Sequence, residues 1–246
     1  MLHLDSSANR SEESLTRQLS RLFADTWQSV HGAAGYRYRD LSADPISPID
    51  TAYCQLGRRS EQYGVLPPDK VDALVECQAE ETAWALTRPL IAELVASDTM
   101  VIGAPMYNYS LPASLKAWID RISFPGAFVD PDTGTSLLAN TEVVVISSRG
   151  GAYGPGTPRD GWDYELPYLR AYFTNHGVLD RNIRFITAEL ALADLVPHLA
   201  HLRPQAEDSL TAARTEVRAA ARPRVAAGDT GSGAVQSVAC GLAEGS

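Results

Sequence analysis

Three stretches of the sequence gather residue types that bind ligands better than they fill a core. The first, SSANRSEESLT (residues 6–16), supplies hydroxyls from Ser6, Ser7, Ser11, Ser14 and Thr16 just ahead of a leucine-rich helical pattern. Free backbone N–H groups and the helix dipole favour an anion at such a place, and a single phosphate would fit. The same serines also suit a plain helix cap, with Ser11 and Ser14 both in position. The second stretch, APMYNYSLP (residues 104–112), sets the amide of Asn108 between Tyr107 and Tyr109, behind Pro105 and Met106. The third, SSRGGAYGPG (residues 147–156), surrounds Arg149 with Gly150, Gly151, Gly154 and Gly156. Glycines there let the backbone come close to a planar ligand.

Each stretch follows an apolar run short enough to be a strand. Leu2 to Asp5 precedes the first, TMVIG (99–103) the second, and EVVVIS (142–147) the third. The last two are apolar almost without interruption, as in strands buried on both faces of a parallel sheet. A helix over Leu15, Leu19, Leu22, Phe23, Thr26 and Val30 is expected after the first stretch. Leu115, Trp118, Ile119 and Ile122 mark one after the second, and a helix near Tyr164 to His176 follows the third. Further strands are expected at Tyr36 to Leu41 and at 181–187, with a last helix from about Gln205 to Ala221. The segment 43–68 has four prolines and no clear period, and reads as a surface excursion. A helix is expected over 69–96, kinked at Pro89, and residues 127–138 read as a β-hairpin turning at DPDTG. Strands alternating with helices imply an α/β sheet of five strands with right-handed crossovers. Ligands of such sheets sit beyond the carboxyl ends of the strands, where all three stretches fall.

The chain of 246 residues is 45% hydrophobic, with a formal net charge of −9 and a pI near 5.0. That charge repels phosphate backbones and anionic lipid, which argues against nucleic acid or a membrane surface as partner. The first residues lack a basic and apolar leader pattern, which reads as cytoplasmic. Cys54, Cys77 and Cys240 have neither disulfide nor metal-ligand spacing. Glu76, Glu80 and Glu81 read as a solvated helix face. Residues 1–222 form the expected domain; 223–246, rich in Gly, Ala and Ser, read as a disordered tail.

MYNY (106–109) between Ala104-Pro105 and Leu111-Pro112, with Leu115-Lys116 beyond, together with SRGG (148–151) and a DSS loop entering a leucine-rich helix, carries a likeness. It resembles the FMN-dependent NADH-azoreductases, also called FMN-dependent NADH:quinone oxidoreductases, over about residues 1–222. The resemblance implies a flavodoxin-like, doubly wound, five-stranded parallel sheet with helices on both faces. It implies bound FMN, NADH or NADPH as donor, and a quinone, azo compound or related small molecule as acceptor. On this chain the FMN phosphate loop falls on Ser7, Ser14, Leu15 and Thr16. The ring cradle falls on Pro105, Met106, Tyr107, Asn108 and Tyr109, and the second flavin loop on Ser148, Arg149, Gly150 and Gly151. Backbone near Asn108 would face the flavin N5 edge, and the SRGG amides the N1/O2 edge.

Phe128, Tyr153 and Asn175 are the expected acceptor-pocket residues. A homodimer is implied as well, in keeping with an apolar excess around Trp118, Ile122, Phe124 and Phe128. Members of the family often carry an aromatic residue where this chain has Asn175-His176, and residues 151–166 differ too, with Trp162. Those departures open an alternative: a flavin enzyme that reduces or desaturates one dedicated metabolite. A flavodoxin-type electron carrier is a further alternative, although SSANRSEES lacks the T-x-T-G-x-T phosphate loop of such carriers.

Overall fold

A computed structural model describes residues 1–64 and 66–223. Five parallel strands, β1 (Leu2–Asp5), β2 (Arg37–Asp40), β3 (Thr99–Gly103), β4 (Glu142–Ser148) and β5 (Ile183–Ala188), lie in the order β2-β1-β3-β4-β5. This is the strand order of the flavodoxin-like doubly wound fold. The register places Leu4 beside Arg39 on one side and Ile102 on the other, and Val101 beside Val144.

Period-two alternation assigns the two faces of the sheet. Val101, Val144, Ile146 and Ile186 point to one side, where α1 (Leu15–His31) packs Leu19 and Phe23, and α7 (Arg203–Ala220) packs Ala213 and Val217. Leu2, Leu4, Met100, Ile102, Val143 and Val145 point to the other. There α2 (Thr51–Gln62), α4 (Gln78–Val95), α5 (Ala113–Ile122) and α6 (Leu166–Asn175) bring Leu56, Trp84, Trp118 and Phe173. Each large side chain so buried contributes roughly 1.5–3 kcal/mol.

Several expectations need correction. The segment 43–68 holds a helix, α2, capped by Asp50, whose Oδ1 accepts the Tyr53 N–H at 2.9 Å. Its buried stripe includes Ala52, Gly57 and Ser60, which are too small to make a hydrophobic period. The expected helix over 69–96 is broken into α3 (Pro68–Val71), a 3₁₀ turn (Asp72–Leu74) and α4, and Pro89 lies inside α4 without ending it. Glu80 is buried: both its oxygens accept from Arg59 of α2, at 2.8 and 2.9 Å, and Oε2 also takes the Glu76 N–H. Residues 127–138 make one bridge, Val129 to Ser136, around a turn closed by Asp130 and Thr135, with no strand on either side.

Trp118, Ile122, Phe124 and Phe128 are covered within this chain, so they expose no apolar excess for a second copy to bury. Val30 is exposed, as are Cys54 and Cys77. Cys240 and the expected tail beyond residue 223 lie outside the described residues. No described helix is long and apolar enough to cross a membrane.

Candidate functional site

Strand order reverses between β1 and β3, and the loops leaving these two strands and β4 meet at the carboxyl edge of the sheet. The first loop is pinned at its start, where Ser6 donates to the Gly103 carbonyl through both N–H (2.9 Å) and Oγ (2.8 Å). At its end Ser14 caps α1, accepting the Arg17 N–H and donating from Oγ to Ser7 Oγ at 3.0 Å. Leu15 and Thr16 open the helix, so their amides have no intrahelical partner. Thr16 is buried, with Oγ1 2.6 Å from Ser148 Oγ at the end of β4. The hydroxyls thus form two pairs, Ser7 with Ser14 and Thr16 with Ser148, at one helix N-terminus. Sequence reasoning missed Arg17, which clamps the outside of the loop. Its Nη2 donates to Ser7 O (2.8 Å) and its Nε to Asn9 O (3.0 Å), while its guanidinium pairs bidentately with Asp40 of β2 at 2.8 and 2.9 Å.

The second loop continues the β3–β4 ladder past the strands: Ala104 N–H donates to Ile146 O and Met106 N–H to Ser148 O. Tyr107 and Ser110 then exchange backbone hydrogen bonds at 2.9 and 3.0 Å, closing a tight turn over Asn108 and Tyr109. Both turn residues lie in the left-handed region, with φ 49° and 70°. Asparagine tolerates this; a tyrosine there costs roughly 1–2 kcal/mol. Such strain concentrates at functional sites. The Tyr107 hydroxyl accepts the Ala8 N–H at 3.1 Å, which joins this loop to the first, and Tyr109 O accepts the Tyr164 N–H at 3.0 Å. The Tyr109 ring meets Trp162 edge-on at 5.4 Å and Tyr153 at 6.2 Å.

The third loop turns Arg149 inward. Only 4% exposed, its side chain donates to Asp163 Oδ2 at 2.8 Å, lies 3.8 Å from both Glu165 and Glu189, and sits over the Tyr153 ring. Asp163 also caps α6, its Oδ1 accepting the N–H groups of Glu165 and Leu166. A Cβ at 150 would lie 2.7 Å from Leu192 Cδ1 and 3.0 Å from its Cγ, and one at 151 would meet Arg159 Nη1 at 2.8 Å, so a side chain at either position displaces a neighbour and glycine is favoured at both. Glu165 is fully buried and takes a 2.7 Å hydrogen bond from Ser147 Oγ. Burial pushes its carboxyl up to about 8, Ser147 and Arg149 pull it down, and Asp163 adds to the rise. Sequence reasoning passed over Asp163 and Glu165. The signal available was an aspartate three residues before a Leu-Pro helix start, an Asx-type cap.

The expected acceptor residues separate. Tyr153 stands at the carboxyl edge beside Tyr109. Phe128 and Asn175 share a cleft of about 410 Å³ with His176. Because α5 and α6 run antiparallel to the strands, that cleft lies at the amino edge, away from the three loops of its own chain. Burial lowers the His176 imidazole. Beside Asn108 there is instead a cleft of about 800 Å³, walled by Tyr107, Leu111, Tyr164 and Tyr168 with Lys116 at its side.

The residues present fit a flavin mononucleotide: a hydroxyl cluster at a helix N-terminus for one phosphate monoester, and a tight turn and a glycine pair to flank a flat ring. Residues 1–210 match the family described by its flavodoxin-like fold. An FMN-dependent NADH:quinone oxidoreductase of Nocardia farcinica is 39% identical over 209 residues, covering 85% of this chain and 91% of its own length. Another, from Frankia casuarinae, is 36% identical over 226 residues, covering 91% and 97%. The solved structure of an FMN-dependent NADH-azoreductase from Bacillus anthracis in complex with FMN superposes with a TM-score of 0.70, covering 89% of this chain and 96% of that one at 17% identity. Fold and site together therefore define a flavin-dependent two-electron oxidoreductase acting on small-molecule acceptors. The chain belongs to the FMN-dependent NADH:quinone oxidoreductase and azoreductase family.

Proposed function

We propose that this protein binds FMN across the three loops and carries electrons from NADH or NADPH to a quinone, an azo compound or a related flat aromatic acceptor. The observation that carries the reading is the meeting of the Ser7–Ser14 and Thr16–Ser148 hydroxyl pairs with the Asn108–Tyr109 turn at the strand-order reversal, joined by the Ala8 N–H to Tyr107 hydrogen bond. Bound there, FMN would supply the two-electron exchange between donor and acceptor.

The chain's own part is binding and orientation. Hydroxyls and helix amides would hold the phosphate, Met106 to Tyr109 would flank one side of the ring, and the Gly150 and Gly151 amides would present donors to its far edge. The tyrosine-walled cleft beside Asn108 supports a flat, largely apolar acceptor, with Lys116 available to an oxygen or anionic substituent. Donor and acceptor would share this space in turn, giving ping-pong kinetics.

A homodimer belongs to the same reading. The Phe128 and Asn175 cleft lies far from the chain's own loops, so those residues would contribute to a flavin site only across a two-fold interface.

Purified protein should be yellow and release FMN, identified by mass, on denaturation. Release of FAD, or of no flavin, overturns the reading. Anaerobic mixing with NADH and NADPH, followed by a quinone or an azo dye, then identifies the donor and the acceptor class.

A further inference from the structure

Behind the second flavin loop lies a set of charges that the proposed chemistry does not require. One arginine, Arg149, faces three acids: Asp163 at 2.8 Å and Glu165 and Glu189 at 3.8 Å each. Fully ionised, the set would carry a charge of about −2, enclosed against the edge of the flavin loop. Asp163 and Glu189 are 18% and 25% exposed and keep access to water; Glu165 is fully buried. Its Oε2 takes the Ser147 hydrogen bond, but Oε1 finds no hydrogen-bond partner among the described residues, and neither does Arg149 Nε. An ionised carboxylate with one bare oxygen in an enclosed site is costly, and holding a proton removes that cost.

From this geometry we infer that Glu165 is a proton-holding group whose protonation sets how much of the Arg149 charge acts on the flavin edge. The inference rests on the FMN reading above. FMN held by the three loops would supply hydride chemistry, taking two electrons and one proton from NADH or NADPH as the donor leaves as NAD⁺ or NADP⁺, and the reduced cofactor would carry one further negative charge for the SRGG loop to face. Near pH 8 and above, where Glu165 is ionised in part before reduction, its carboxylate would then take up to one proton from solvent, and its O–H bond would break again, returning the proton, when the acceptor removes the electrons. Because the two events are linked, each favours the other by the same factor. Groups facing Glu165 from the surrounding elements are Ser147 on β4, Arg149 and Asp163 in the third loop, and Glu189 past β5 through Arg149. Asp163 opposes ionisation of Glu165, and Ser147 and Arg149 favour it.

The test is a pair of measurements on flavin-loaded protein between pH 6 and 10: the midpoint potential, and the protons taken up per flavin reduced by NADH. In the wild type, uptake near pH 8 should exceed that of Glu165→Gln by up to one proton, and the potential should fall more steeply with pH. Glu165→Asp should restore the excess. Ser147→Ala, which removes a hydrogen bond favouring the charged form, should move the steep region to higher pH, and it serves as the test should Glu165→Gln not fold. Infrared difference spectra on reduction should gain a protonated-carboxyl stretch that Glu165→Gln lacks. Identical proton uptake and identical pH dependence of the potential in wild type and Glu165→Gln, both loaded with FMN, overturn the inference and leave the FMN reading intact. A wild type that binds no FMN instead overturns that reading first.

Discussion

Thr16 Oγ1 and Ser148 Oγ lie 2.6 Å apart, although 132 residues separate them in the chain. One opens α1 beyond β1 and the other ends β4, so their contact fixes the head of the helix against the far side of the site. Replacing Thr16 with Val keeps the shape and removes the hydroxyl. Loss of one hydrogen bond to a charged phosphate, about 1.5–3 kcal/mol, should weaken FMN binding by roughly 10- to 100-fold, read by fluorescence titration of the apoprotein. Unchanged affinity would place the phosphate elsewhere.

Asn108 occupies a left-handed position that a β-branched residue resists. Asn108→Val should lower unfolding stability by about 1–3 kcal/mol and reduce turnover sharply, whereas Asn108→Gly should keep the fold and its flavin. Denaturant titration and flavin content of the two variants make the comparison. Equal stability of Val and Gly here would contradict the turn geometry.

The two glycines of SRGG are expected to differ. A methyl at 150 meets Leu192 Cδ1 and Cγ at 2.7 and 3.0 Å, while one at 151 meets the end of the exposed Arg159 side chain. Gly150→Ala should therefore destabilise more than Gly151→Ala, and Leu192→Ala should recover part of the Gly150→Ala loss. Thermal unfolding of the singles and the double forms the cycle.

Glu165 also ties stability to pH. Its carboxyl is raised to about 8 in the fold from an ordinary value near 4.3, so the unfolded chain releases the proton first as pH climbs. The sign follows: this group leaves stability untouched below the ordinary value, erodes it through the interval up to about pH 8, and adds no further loss above it. Relative to Glu165→Gln, the wild type should lose on the order of a few kcal/mol between pH 4 and pH 8. Parallel urea titrations at the two pH values check this, and a difference of opposite sign would contradict the burial.

The sheet was legible because TMVIG and EVVVIS are apolar almost without interruption, the pattern of a strand covered on both faces. The three ligand loops could be located for the same reason, since each begins where such a run stops. Helix α2 stayed hidden because Ala52, Gly57 and Ser60 pack by being small, and smallness leaves no hydrophobic period. Glu80 looked solvated because charge spacing along one helix carries no information about Arg59 on another. Asp163 and Glu165 were invisible as a pair, because their roles depend on an arginine folded back from a loop 14 and 16 residues earlier. Phe128 and Asn175 were grouped with Tyr153 because sequence order does not say at which edge of the sheet a loop emerges.

The bidentate pairing with Asp40 commits the Arg17 guanidinium to bracing the first loop, and Arg10, the cation within that loop, is drawn to the same carboxylate at 3.6 Å. A phosphate monoester held there would be gripped by neutral donors, with the guanidinium spent on bracing the loop from behind. Affinity built that way responds weakly to ionic strength, because few counterions are displaced and dipoles at contact distance are poorly screened. Raising the salt concentration should then strip little flavin from the protein, and loss of the cofactor should follow instead the fraying of the first turn of α1.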